Sequence, residues 1–76
     1  MNWKVEDKSL VKEFEFSNFN QAIGFVHKIH PIAEEMGHHP NIFIHSYNKV
    51  KIILFTHSED KITDKDYELA KKIDSI

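Results

Sequence analysis

The spacing of apolar residues changes four times along the chain, and each change marks a different kind of element. Over residues 10–16, Leu10, Phe14 and Phe16 share one face, while Val11, Glu13 and Glu15 take the other. That is the two-residue period of a half-buried strand, with Lys12 as an exception on the apolar side. Residues 3–7 supply the other strand of a hairpin. From Ala22 the period lengthens. Ala22, Phe25, Val26, Ile29, Ala33 and Met36 recur at three- and four-residue spacing, which is one helical stripe. Asn18 followed by Gln21 resembles a capping box, with Ser17 as the alternative cap. Pro31 lies inside this helix and, lacking an amide donor, is expected to kink or loosen it. Gly37 is its natural stop, because glycine tolerates the left-handed conformation that ends a helix. Residues 41–47 and 50–56 then read as a second hairpin turning at Asn48-Lys49, where asparagine accommodates positive φ. Such a turn places Asn41 opposite Thr56 and Pro40 opposite His57. The last helix starts at Thr63, with Asp66 completing the cap, and Leu69, Ala70, Ile73 and Ile76 form its stripe.

The order is therefore β-β-α-β-β-α. Paired strands with helices between them predict an α+β two-layer fold: a four-stranded antiparallel sheet with two helices packed on one face. Residues 1–76 make a single domain, since the whole chain has 76 residues. It has no cysteine, so neither a disulfide nor a thiolate metal site supplements a thin core. A small chain without such staples often adds core by oligomerising. The second hairpin points the same way. Val50, Ile52 and Leu54 face one side while Ile53 and Phe55 face the other, so a partner subunit is expected on the sheet face that the helices leave open. A homodimer or homotetramer follows from that reading.

Charge and hydropathy exclude several partners. A net charge of −2 gives no electrostatic case for nucleic acid or an anionic membrane surface. The longest apolar runs, Ile42–Ile44 and Ile52–Phe55, are far short of the roughly 20 residues of a membrane span. Met1-Asn2-Trp3-Lys4 leads into no apolar stretch, so no signal peptide is visible and a cytoplasmic location is expected.

The six histidines carry the chemical information. His27, His30 and His45 read as ordinary surface residues. His38 and His39 follow the first helix directly, with Glu34 one turn earlier. Dipole and burial pull an imidazole at a helix C-terminus in opposite directions, so protonation near neutral pH is open to either residue. His57 closes the fourth strand at the same end of the sheet. Three histidines and a carboxylate meeting there suit general acid–base chemistry; they also suit zinc, although no compact metal-binding motif is present. Trp3 and Tyr47 read as packing aromatics, Asp66 as a helix-start acid, and residues 58–61 as a solvated loop.

The series Glu34, His38-His39-Pro40, Tyr47, His57 and Asp66 resembles, in order and spacing, the pattern of the pterin-4a-carbinolamine dehydratases. The likeness extends to Phe16–Phe19, to Tyr47-Asn48-Lys49-Val50 and to Trp3, and so covers almost the whole chain. Two positions depart from it. Ile42 stands where many members carry tryptophan, and Lys61 where members often have glycine. The resemblance implies a lyase that converts 4a-hydroxytetrahydropterin to quinonoid dihydropterin and water in tetrahydrobiopterin recycling, without metal or cofactor, as a dimer or tetramer. It implies His38, His39 and His57 as catalytic residues, and Glu34, Pro40 and Asp66 as groups that bind or orient the substrate. Within that set, His39 and His57 are expected to transfer protons and His38 to bind and orient. The alternative is a non-catalytic module on the same fold that binds a pterin or a protein partner.

Overall fold

In the computed structural model, which describes residues 2–76, strands β1 (Lys4–Glu6) and β2 (Ser9–Glu15) precede helix α1 (Phe19–Met36). Strands β3 (Asn41–His45) and β4 (Lys49–Leu54) follow, then a 3₁₀ turn at His57–Glu59 and helix α2 (Asp64–Asp74). The four strands form one antiparallel sheet in the order β1-β2-β4-β3. The expected α+β architecture is therefore present. Both helices pack on one face through Ala22, Phe25 and Ile29 of α1 and Leu69, Ala70 and Ile73 of α2. Leu10, Val50, Ile52 and Leu54 meet them from the sheet. Burying each such leucine or isoleucine contributes about 1.5–3 kcal/mol.

The first helix starts and stops where its sequence signals lie. Asn18 is the cap, its side chain accepting from the Gln21 amide at 2.9 Å. The Gln21 side chain reaches back to the Ser17 amide rather than to that of Asn18. Pro31 does not break the helix, which runs unbroken from Phe19 to Met36. Pro31 is exposed, and so is His27, whose carbonyl loses its i+4 donor to the proline.

Lys12, the exception on the apolar face, is anchored at its tip. Its ammonium lies 4.7 Å from the Phe14 ring centroid and donates to Asp74 at 2.7 Å. The other Asp74 oxygen accepts from the Trp3 indole at 3.0 Å. One carboxylate at the end of α2 thereby ties down the start of the chain and the middle of β2. Trp3 is buried against Phe14, as a packing aromatic should be.

The second hairpin differs from the expected one. His45 pairs with Lys49 and Asn41 with Ile53, so the loop is Ser46-Tyr47-Asn48 and Pro40 is not opposite His57. Ser46 and Tyr47 take the positive φ values, 51° and 53°, rather than Asn48. Asn48 is used elsewhere: its side-chain amide donates to the Phe16 carbonyl and its own carbonyl accepts from the Phe16 amide, both at 2.8 Å. This register sets Ile42 beside Ile52 and Ile44 beside Val50 on the helix-covered face, where they bury best. Tyr47, expected to pack, sits in the loop and is 65% exposed. Ile76 lies past the end of α2 and leaves the helical stripe.

The face of the sheet away from the helices is less apolar than expected. Val11, Ile53 and Phe43 make a strip along it, flanked by Lys4, Glu13 and Lys51. His45 on β3 reaches across β4 to Glu13 on β2 at 2.6 Å.

Candidate active site

The site begins with the way α1 ends. Gly37 adopts φ 62° and donates to the Glu34 carbonyl at 3.1 Å, and the His38 amide donates to the Ala33 carbonyl at 3.1 Å. This left-handed cap turns the chain sharply and sends the two following histidines in different directions. The side chain of His38 is only 11% exposed and that of His39 is 63% exposed.

His38 turns inward onto Asp66, its Nε2 lying 2.5 Å from Oδ1. Asp66 is the third residue of α2 and is fully buried. Its other oxygen accepts from the Thr63 amide at 2.9 Å and from the Thr56 hydroxyl at 2.7 Å. The Thr63 and Thr56 hydroxyls are 2.7 Å apart, and the Asp66 amide donates to the Thr63 carbonyl at 3.0 Å. The cap expected from Thr63 and Asp66 is present, and its carboxylate is fully buried and reaches His38 as well. Among the described residues no buried side-chain nitrogen or oxygen lacks a partner. A buried carboxylate requires this degree of satisfaction.

His39 turns outward, and its Nε2 lies 2.7 Å from Glu34 Oε1. The hydrogen bond to His39 and then that imidazole's charge hold the Glu34 carboxyl below its ordinary 4.5, helped by the charge of His30. A lowered carboxyl stabilises the fold above its ordinary value, and the contribution is lost as pH falls through the folded value.

His57 opens the 3₁₀ turn just after β4 and stands in an edge-on contact with Phe55, the ring centroids 5.1 Å apart. Its ring lines one open cleft of about 260 Å³ together with His38, His39, Phe55, Thr56 and Lys65. The three histidines therefore converge as expected, although His57 arrives by the 3₁₀ turn and not by pairing with Pro40. A larger groove, about 560 Å³, adjoins the cleft past Thr56, Ser58 and Lys65, but no histidine lines it. Glu34, Pro40 and Asp66 do not line the cleft. Glu34 and Asp66 instead contact His39 and His38, which do line it, and Pro40 is half-buried between His39 and β3. Tyr47 lies in the loop that joins β3 to β4, and it too is absent from the lining. His27, His30 and His45 are also outside it, and all three are exposed. Among the described residues no three histidine or carboxylate side chains are arranged to hold a metal ion. No helix is long and apolar enough to cross a membrane among those residues.

The loop beyond His57 also bears on Lys61. Asp60 takes the left-handed conformation at φ 55°, and Lys61 pairs with Thr56 as an isolated bridge. A lysine fits at Lys61 because the residue before it makes the turn.

The family model described as Pterin 4 alpha carbinolamine dehydratase matches residues 1–76. A protein of Sulfolobus acidocaldarius, provisionally named a pterin-4-alpha-carbinolamine dehydratase, is 51% identical over 74 residues, which are 97% of this chain and 80% of that protein. A crystal structure of a transcriptional coactivator/pterin dehydratase from Brucella melitensis superposes with a TM-score of 0.90 at 35% identity, covering 96% of this chain and 79% of that one. A pterin dehydratase-like protein described as a RuBisCO assembly factor in the alpha-carboxysome shares the fold, with a TM-score of 0.76 at 24% identity over 97% of this chain and 84% of that one.

Proposed function

The chain belongs to the pterin-4a-carbinolamine dehydratase family, and from that premise we propose that it dehydrates 4a-hydroxytetrahydropterin to quinonoid dihydropterin and water. The observation that carries this reading is the convergence of His38, His39 and His57 on one cleft, with His38 backed by a buried carboxylate. The reaction needs two proton transfers and no change of oxidation state. One proton reaches the 4a-hydroxyl, and the C4a–O bond breaks as water leaves. The N5 lone pair forms the C4a–N5 double bond, and the N5 proton passes to a base. Imidazoles suit both transfers near neutral pH, and such assistance is typically worth about 10²–10⁴ in rate.

The residue pattern alone favours His39 and His57 for proton transfer. The Asp66 contact favours giving His38 the part of the base, because a carboxylate behind an imidazole fixes its orientation and stabilises the charge it gains. His57, which lines the same cleft, delivers the proton to the leaving hydroxyl. His39, held by Glu34, binds the pterin ring. The physiological role that fits this chemistry is recycling of tetrahydrobiopterin. The strip of Val11, Ile53 and Phe43 on the open sheet face, with Phe43 55% exposed, supports a homo-oligomer.

The six histidines supply their own control. On titration with 7,8-dihydropterin, a stable relative of the product, the ring NMR signals of His38, His39 and His57 are expected to shift, while those of His27, His30 and His45 stay in place. Unmoved signals from the first three at saturating pterin would remove the site from this reading.

A further inference from the structure

We propose that Thr56 is a positioning residue whose hydroxyl, acting through Asp66, sets which nitrogen His38 presents to the cleft. Asp66 Oδ2 accepts the only hydrogen of the Thr56 hydroxyl, at 2.7 Å. The contact between the Thr56 and Thr63 oxygens must then use the Thr63 hydrogen. The hydrogens therefore run one way, from the Thr63 hydroxyl to the Thr56 hydroxyl and on to Oδ2 of the carboxylate. The Thr63 amide adds a second donor to the same oxygen.

With Oδ2 saturated in this way, the Asp66 carboxyl cannot rotate without leaving buried donors unpaired. Oδ1 is therefore held against His38 Nε2. Oδ2 already accepts two hydrogens, as a carboxylate oxygen does, so the hydrogen between Oδ1 and Nε2 is the imidazole's. Neutral His38 then carries hydrogen on Nε2 and a lone pair on Nδ1. Nδ1 makes no hydrogen bond among the described residues and is not sealed from solvent, since no buried side-chain nitrogen there lacks a partner. Thr56 itself is 5% exposed and lies at the floor of the cleft, directly before His57. It sits outside the histidine-and-acid pattern altogether.

The consequence for catalysis rests on the dehydratase reading; the consequence for the tautomer does not. The test uses Thr56→Val, which keeps the shape and removes the hydroxyl, and Thr56→Ser, which restores it. Nitrogen NMR of the His38 ring, taken where the imidazole is neutral, reports the tautomer directly. Wild type is expected to be the Nε2–H form, Thr56→Val a mixture of the two tautomers, and Thr56→Ser the wild-type form again. Alongside this, kcat for dehydration is expected to fall about tenfold in Thr56→Val, as for a lost hydrogen bond to a charged group, with KM within about twofold and with recovery in Thr56→Ser. Wild-type His38 protonated on Nδ1 would overturn the proposal at once, even if Thr56→Val failed to fold. A folded Thr56→Val with an unchanged tautomer would overturn it too, as would a Thr56→Ser that behaves like the valine variant. If wild type shows the expected tautomer pattern but does not turn over the pterin, the activity falls and the positioning role stands.

Discussion

Asp66→Asn is expected to abolish most dehydratase activity while leaving the protein folded. Two donors, the Thr56 hydroxyl and the Thr63 amide, converge on Oδ2. An asparagine in this place must put its carbonyl oxygen there, because its amide nitrogen would face donors with more hydrogens. The amide nitrogen then points at His38 Nε2. That nitrogen must become the acceptor, so the ring proton moves to Nδ1 and the lone pair facing the cleft is lost. The imidazolium also loses its counter-charge. The combined effect on kcat is about 10²–10⁴-fold, the range of general base assistance. The volume scarcely changes, so the cost in stability is about 1–2 kcal/mol, read as a shift in the urea midpoint. Activity within about threefold of wild type in a folded Asp66→Asn would show that His38 does not depend on the carboxylate for its function.

His57→Ala and His39→Ala should separate proton delivery from binding. His57 is exposed and its ring makes no hydrogen bond to the described residues, so its removal should alter stability by no more than about 0.5 kcal/mol. Its expected effect is on turnover, a fall in kcat of about 10²–10⁴-fold with KM little changed. His39→Ala removes only an exposed pair with Glu34, which contributes little to the fold. Its larger effect should be on KM. Steady-state kinetics on the two purified variants, each checked by circular dichroism, give both parameters. A His57→Ala enzyme with wild-type kcat would take the general acid away from this residue.

The elements and their ends were legible because local chemistry decides them. Asn18, Gly37 and the Thr63–Asp66 pair each satisfy helix-end groups with atoms from nearby residues, and all three serve the expected ends. The meeting of three histidines was legible for the same reason: two follow a helix stop and one follows a strand end. The register of the second hairpin was not. A strand with one apolar face reveals its register through alternation, but the segment 50–56 carries apolar residues on both, with Val50, Ile52 and Leu54 on one and Ile53 and Phe55 on the other. The turn signal at Asn48 was equally ambiguous, because its amide binds Phe16 on a strand distant in sequence. Asp66 reads locally as a helix-start acid, and nothing local reveals that it lies buried against His38 at the end of α1. The one overlooked signal was Thr56. It continues the buried row of Val50, Ile52 and Leu54, and a hydroxyl in such a row needs a partner inside the protein.

The measurement that bears most directly on the account is the rate at which 4a-hydroxytetrahydropterin loses water in the presence of the folded wild-type chain, set against its spontaneous rate in the same buffer. The account predicts an acceleration that saturates with substrate and scales with the amount of protein. A folded protein that leaves the rate at its spontaneous value would contradict it.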